Sequence, residues 1–199
     1  GKEGKGLAYR WAKAGYKVLI GSRSEERAVT AASEIMELAE GSTSIVGTSN
    51  HEAAQLADIV VLTVPFAAHR ETLESVKDVL KGKTLIDVTV PLVPPKVTKV
   101  QMPSAGSAAQ EAKEIVGEGV EVVAAFHSIS HEHLLKDDYV ESEVLVTGTS
   151  KDARAEVIKL RDAAGLTGWD AGPIATSVVL EARTSVLIYI NQQYGSTHA

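Results

Sequence analysis

The sequence of 199 residues contains no cysteine. That removes disulfide frameworks, thiolate nucleophiles and Cys-ligated metals from consideration. Aromatic residues are sparse at 5%, and basic residues do not dominate: 20 Lys and Arg stand against 26 Asp and Glu, for a net charge of −6. General binders of nucleic acid or of anionic membranes are normally basic, so neither partner is expected. Long apolar runs are also lacking. Ile59–Leu62 and Val186–Ile190 fall far short of the roughly 20 residues that span a bilayer. No apolar signal-peptide stretch follows the opening Gly1-Lys2-Glu3-Gly4-Lys5-Gly6, and the expected location is the cytoplasm.

What is present is an alternation. Leu7, Ala8, Trp11, Ala12 and Ala14 recur at helical spacing from near Lys5, and Tyr16–Gly21 then reads as a short buried strand. Ser24 is the expected N-cap of a helix whose apolar face is Ala28, Val29, Ala31, Ala32, Ile35, Met36 and Leu38 and that ends at Gly41, while Glu25 and Glu26 suit its positive end. Strands are predicted at Ser44–Val46, Asp58–Val64, Lys83–Val88, Gly119–Phe126 and Glu143–Val146. Helices are predicted at Asn50–Leu56, His69–Leu80, Ala105–Val116 and Asp152–Ala164. The final helix, Ile174–Gln193, is apolar on more than one face and should be buried or lie between subunits, with Asp170 as its candidate cap. Val- and Ile-rich strands alternating with helices point to an α/β protein with a doubly wound, mostly parallel sheet. The Pro-rich break at Val90–Pro95 follows a strand, the end of such a sheet where ligands bind.

Gly1-x-x-Gly4 stands directly before a helix, as in the second half of a G-x-G-x-x-G fingerprint that brings backbone close to a pyrophosphate. The following strand ends at Ser22 and Arg23, with Arg27 one turn further on. An NAD site would place Asp or Glu there to accept from the ribose 2′-hydroxyl. A hydroxyl and two guanidiniums instead suit a 2′-phosphate, so NADP is the expected cofactor. No Ser-His-Asp set is apparent. His127, His131 and His133 lack the H-E-x-x-H pattern, and no metal site is expected. The adjacent pairs Glu25-Glu26 and Asp137-Asp138 read as solvated charges.

Several stretches together resemble the NADPH-dependent coenzyme F420 reductases, or F420H2:NADP oxidoreductases. They are Gly1–Ala8, Gly21-Ser22-Arg23, Ala57–Pro65, Pro91-Leu92-Val93-Pro94, Ala125-Phe126-His127 and Asp170-Ala171-Gly172-Pro173. The resemblance implies hydride exchange between NADP and the deazaflavin coenzyme F420, passing directly between cofactors with no catalytic side chain. It implies a Rossmann-like domain over residues 1–150 and a small C-terminal helical part over 151–199 that completes the second cofactor site. It also implies a homodimer. For NADP it points to Gly1, Lys2, Glu3, Gly4, Ser22, Arg23, Arg27, Thr63, Val64, Pro65 and Phe66. For the deazaflavin it points to Val90, Leu92, His127 and Ile129. Lys96, Lys99 and Lys136 are open candidates for the anionic tail of coenzyme F420. Against the family pattern the chain looks truncated at both ends, with the central first strand of the sheet missing. Two other readings remain open: an NADP-dependent reductase of a small imine, ketone or metal chelate, and a non-catalytic NADP-binding redox sensor.

Overall fold

Serine hydroxyls start the helices of this chain. Ser24, Ser49, Ser107 and Ser150 each accept the backbone N–H three residues on, at the starts of α2 (Glu25–Leu38), α3 (Asn50–Leu56), α5 (Ala108–Val116) and α7 (Lys151–Ala163). Each such cap stabilises its helix by about 1 kcal/mol. The structure is a computed structural model, and it describes residues 1–39, 45–129, 131–135 and 143–195. The other helices are α1 (Lys2–Lys13), α4 (Phe66–Val76), α6 (His131–Leu134) and α8 (Ser177–Tyr194). The strands are β1 (Val18–Ser22), β2 (Ile45–Ser49), β3 (Ile59–Leu62), β4 (Thr84–Asp87), β5 (Glu121–Ala124), β6 (Glu143–Gly148) and β7 (Thr167–Pro173).

The strands form two sheets, β1-β2 and β3-β4-β5-β6-β7. Among the described residues all strand pairings are parallel except β5 with β6. Helices cover both faces. Leu7 and Trp11 of α1 and Val157 and Leu160 of α7 pack with Ile86, Val123 and Val146 on one side. Leu73 and Val76 of α4 and Ala109 and Ala112 of α5 pack with Leu62, Leu85 and Val122 on the other. A third cluster joins α1 to α2 and β2 through Ala8, Ala12, Ala32, Ile35 and Ile45. The indole N–H of Trp11 donates to the Leu160 carbonyl at 2.8 Å, so the largest apolar ring in this core leaves no polar atom stranded.

This is the doubly wound α/β arrangement expected. Among the described residues no strand lies between β1 and β3, and a cleft of about 1420 Å³ is lined by both.

Several local expectations change. The first helix begins at Lys2 rather than near Lys5, and α4 begins at Phe66 because Pro65 leads directly into it. α6 and β7 are additions, and Val29, Met36 and Leu38, placed on the apolar face of α2, stay exposed because only its Ala-rich side packs on the sheet. Asp170 sits in β7, where Oδ1 accepts from Arg154 Nε at 2.7 Å and from the Gly172 N–H, so it does not cap α8. α8 buries only Ser177, Leu180, Glu181 and Ser185, and Val179, Val186 and Tyr189 stay exposed. Gly41, Ser44, Lys136 and Asp137-Asp138 lie outside the described residues.

Candidate functional site

β3, β4 and β5 run parallel in register, so Leu62, Asp87 and Ala124 finish at one edge of the sheet. The segments that follow carry most of the residues singled out from the sequence. The first turn of α1 packs on the segment after β3. A Cβ built on Gly4 would lie 2.5 Å from Thr63 Oγ1, and one on Gly1 3.8 Å from the Thr63 carbonyl oxygen. Glycine is what permits this approach of helix start to strand end, and a helix start presents N–H groups suited to an anion.

Gly1, Gly4, Ser22, Arg27, Thr63 and Val64 line the large cleft, while Lys2, Glu3, Arg23, Pro65 and Phe66 do not. Arg23 and Arg27 are exposed, and neither has an ion-pair partner among the described residues. Ser22 Oγ accepts the Ser24 N–H at 3.2 Å, which shapes the turn between β1 and α2. Burial pushes the Glu3 carboxyl up to about 7.

A second cluster forms at the ends of β4 and β5. Val90 and Leu92 are half-buried in the turn after β4, with the Leu92 N–H donating to the Val90 carbonyl at 2.7 Å. The Thr89 hydroxyl donates to the Val64 carbonyl at 3.5 Å, which joins this turn to the segment after β3. Phe126 is fully buried at φ 68, edge-on to Trp11 with ring centroids 5.8 Å apart. A bulky side chain at positive φ is strained by about 1–3 kcal/mol and persists only where packing enforces it. The strain turns the chain sharply just before His127.

His127 lies within electrostatic reach of Asp87, and its Nε2 is buried without a hydrogen-bond partner. Burial, with a contribution from Arg183, drives His127 down to about 4 although Asp87 pulls the other way. The ring is therefore neutral at ordinary pH, with Nε2 buried and unpartnered. His127, Ile129, Leu180 and Arg183 line a second cavity of about 10 Å³, and Val90 and Leu92 do not reach it. Ile129 is also part of the main core. Arg183 donates from Nη2 to Ser128 Oγ at 2.8 Å and leaves Nε unpaired.

The depressed value has a thermodynamic consequence. The folded state resists protonating His127 and the unfolded chain, near 6.5, does not, so stability should fall as pH drops from 6.5 through about 4. The loss approaches about 3 kcal/mol. Urea melts between pH 7 and 4 should show it, and His127→Asn, polar but without a group that titrates in this range, should flatten the acid decline. An unchanged decline in that variant would rule out His127 as its source.

Sequence reasoning missed the polar groups behind these segments: His69, Asp87, Glu111, Glu181 and Arg183. One signal was available. His69 shares the inward stripe of α4 with Phe66, Leu73 and Val76 at i, i+3, i+7 and i+10 spacing, so a titratable ring stood among apolar neighbours. Asp87 likewise closes a strand that is otherwise Thr84-Leu85-Ile86 and wholly buried.

A doubly wound, mostly parallel sheet with a glycine-rich helix start at its strand ends defines a Rossmann-like nucleotide-binding protein. Comparison with known proteins narrows the class. Residues 1–91 match the family model described as NADP oxidoreductase, coenzyme F420-dependent. The chain is 37% identical over 198 residues to the F420-dependent NADP reductase of Methanothermobacter marburgensis, covering 96% of this chain and 88% of that one. It is 34% identical over 204 residues to the enzyme of the same name from Methanocaldococcus jannaschii, covering 98% and 91%. The chain belongs to the F420-dependent NADP reductase family. A solved structure from Arthrobacter sp. FB24, proposed to be an F420-dependent NADP reductase, has the same fold at TM-score 0.81 and 22% identity, covering 100% of this chain and 93% of that one. An imine reductase of Streptomyces aurantiacus shares the fold at TM-score 0.64 and 14% identity, covering 98% and 61%.

Proposed function

We propose that this protein transfers a hydride between NADP(H) and the deazaflavin coenzyme F420. The observation that carries the reading is identity of 34–37% with F420-dependent NADP reductases across 96–98% of the chain, a span that includes both clusters of strand-end residues. The residues present fit both groups. Gly4 brings the start of α1, suited to a pyrophosphate, against Thr63, and the exposed guanidiniums of Arg23 and Arg27, without ion-pair partners among the described residues, follow β1. The buried Nε2 of His127 has no partner within the chain's described residues and can take one from a bound ring.

The nicotinamide and the deazaflavin supply the hydride chemistry, and the protein supplies placement. Gly1, the N-cap, and Lys2, Glu3 and Gly4 in the first turn of α1 would receive the pyrophosphate. Ser22, Arg23 and Arg27 hold the 2′-phosphate. Thr63, Val64, Pro65 and Phe66 wall the nicotinamide, and Val90, Leu92, His127 and Ile129 wall the deazaflavin and keep water away. His127, neutral at ordinary pH, offers its unpartnered Nε2 to the deazaflavin. Residues 1–150 constitute the NADP-binding part and 151–199 the part that closes the second site. The exposed Val179, Val186 and Tyr189 of α8 support a homodimer built on that face. No helix of the described residues is long and apolar enough to cross a membrane, which accords with work in the cytoplasm.

Mixing the protein with NADPH and oxidised coenzyme F420 should bleach the deazaflavin absorbance in proportion to NADPH consumed. Absence of bleaching with NADPH-saturated protein overturns the reading. Turnover of an imine or ketone without any deazaflavin would replace it with a different NADP-dependent reduction.

A further inference from the structure

His69 lies on the first turn of α4 with no solvent exposure, between carboxylates from two other elements. Its Nε2 is 2.7 Å from Asp87 Oδ2, and its Nδ1 is 3.3 Å from Glu111 Oε1. Ionised carboxylates only accept, so bonds at both ring nitrogens require hydrogen on both. Two flanking carboxylates favour the imidazolium form. Burial alone would oppose that charge, but the hydrogen bonds and charges of Asp87 and Glu111 outweigh it and raise the pKa above its ordinary value.

The charged surroundings come from every neighbouring element. Arg70, also on α4, is 3.2 Å from Glu111 Oε2. Glu181 on α8 accepts the Ala108 and Ala109 N–H groups at the start of α5. Burial pushes that carboxyl up to about 8 even though the two N–H groups and His69 pull it down. His127, after β5, and Arg183, on α8, complete the set.

Asp87 is the joint of the cluster. While His69 holds Oδ2, Oδ1 accepts the Thr89 N–H at 2.9 Å, and the Asp87 charge acts on the His127 ring. Thr89 in turn reaches the Val64 carbonyl. One carboxylate therefore sets the turn that carries Val90 and Leu92 and couples electrostatically to the His127 ring. His69 also backs the Phe66 ring, with centroids 5.9 Å apart and planes tilted by 31°.

We propose that His69 is a positioning residue of the cofactor cleft: through Asp87 it sets the Thr89–Leu92 turn and couples to the His127 ring, and its protonation carries pH into the second cofactor pocket. The proposal rests on the hydride-transfer reading above for its kinetic consequence and on the geometry alone for the coupling between the two histidines. The two can fail separately.

The test uses the full chain, with His69→Gln and Glu111→Gln. Wild-type KM for oxidised coenzyme F420 should rise at alkaline pH as His69 loses its second proton. Glu111→Gln keeps the contact through an amide that can donate to a neutral ring nitrogen, so it should move this limb acidward by about one unit while approaching wild-type KM at pH 6. His69→Gln should raise KM for coenzyme F420 about tenfold at every pH and leave the NADPH KM within about twofold. Loss of packing alone would produce no movement of the limb in Glu111→Gln.

Histidine ring NMR on the wild type and on Glu111→Gln reads the same coupling without turnover and without relying on His69→Gln to fold. The His127 signals should shift in step with the titration of His69. A folded His69→Gln with wild-type KM and pH profile overturns the proposal. So does a limb that Glu111→Gln leaves in place, or a His127 signal blind to His69. Coupled histidine signals in a protein that never reduces the deazaflavin would instead leave the positioning network standing and overturn the hydride-transfer reading.

Discussion

Gly47→Ala is expected to remove cooperative folding of the β1–α2–β2 unit and to take NADPH binding with it. Gly47 pairs with Ile20 in the parallel β1-β2 sheet. A Cβ there would lie 2.3 Å from the Ala28 carbonyl carbon and the Val29 nitrogen, and 2.4 Å from the Ala28 carbonyl oxygen. These are main-chain atoms in the first turns of α2, so no side-chain rotation relieves the overlap. The small residues Ala28, Ala31 and Ala32 on the buried face of α2 show how closely helix and sheet approach. Overpacking of a core by side chains costs about 1–3 kcal/mol. Here strand and helix backbones must separate, so the loss should reach about 3 kcal/mol or more, a large share of the roughly 5–15 kcal/mol that holds a domain folded. The turn from Ser22 to Arg27 joins these same elements, so cofactor affinity should fall with stability. Urea melts and NADPH titrations measure both, with Val46→Ala as a control at an exposed neighbouring position on β2. A Gly47→Ala protein with a wild-type midpoint would show that α2 can shift without harm.

The order of strands and helices was legible because burial leaves its period in the sequence. The run from Ile59 to Leu62 reads as a strand covered on both faces, and Asn50–Leu56 matches its helix to the residue. Ser24 is the cap foreseen, because its side chain accepts the Arg27 N–H locally. What lay beyond the sequence depended on partners far along the chain. β7 reads poorly as a strand because Gly168, Asp170 and Gly172 interrupt it. It forms because β6 supplies a ladder, with an irregularity in register at Val146/Thr147. Asp170 looked like a helix cap from its position and is drawn instead to Arg154, sixteen residues earlier. The candidate site divides the same way. The glycines and Ser22 announced themselves by type and spacing. The link from His69 to Asp87 and on to His127 joins α4, β4 and the end of β5, and no spacing rule relates those positions. Phe126 at positive φ is equally silent in sequence, since only the surrounding core holds a phenylalanine there.

Arg23→Ala should weaken NADPH binding by roughly tenfold to a hundredfold and leave NADH affinity nearly unchanged. A hydrogen bond to a charged group contributes about 1.5–3 kcal/mol, which corresponds to that range. Neither Arg23 nor Arg27 has an ion-pair partner among the described residues, so both guanidiniums are available to an added phosphate without first breaking a contact. Both are exposed, so the effect should be largest at low salt and shrink as ionic strength rises. The neighbouring acids sharpen the test. Glu25 and Glu26 occupy the first turn of α2, and Glu26 lines the same cleft as Arg27. Arg27→Ala should therefore lose affinity through the missing contact and through a carboxylate left unopposed near the phosphate, whereas Glu26→Gln should tighten NADPH modestly. Isothermal titration of both cofactors at two salt concentrations separates these contributions. Equal losses for NADH and NADPH in Arg23→Ala would mean that the residue supports the turn rather than the 2′-phosphate. The preference for NADP would then have to come from Ser22 and Arg27 alone.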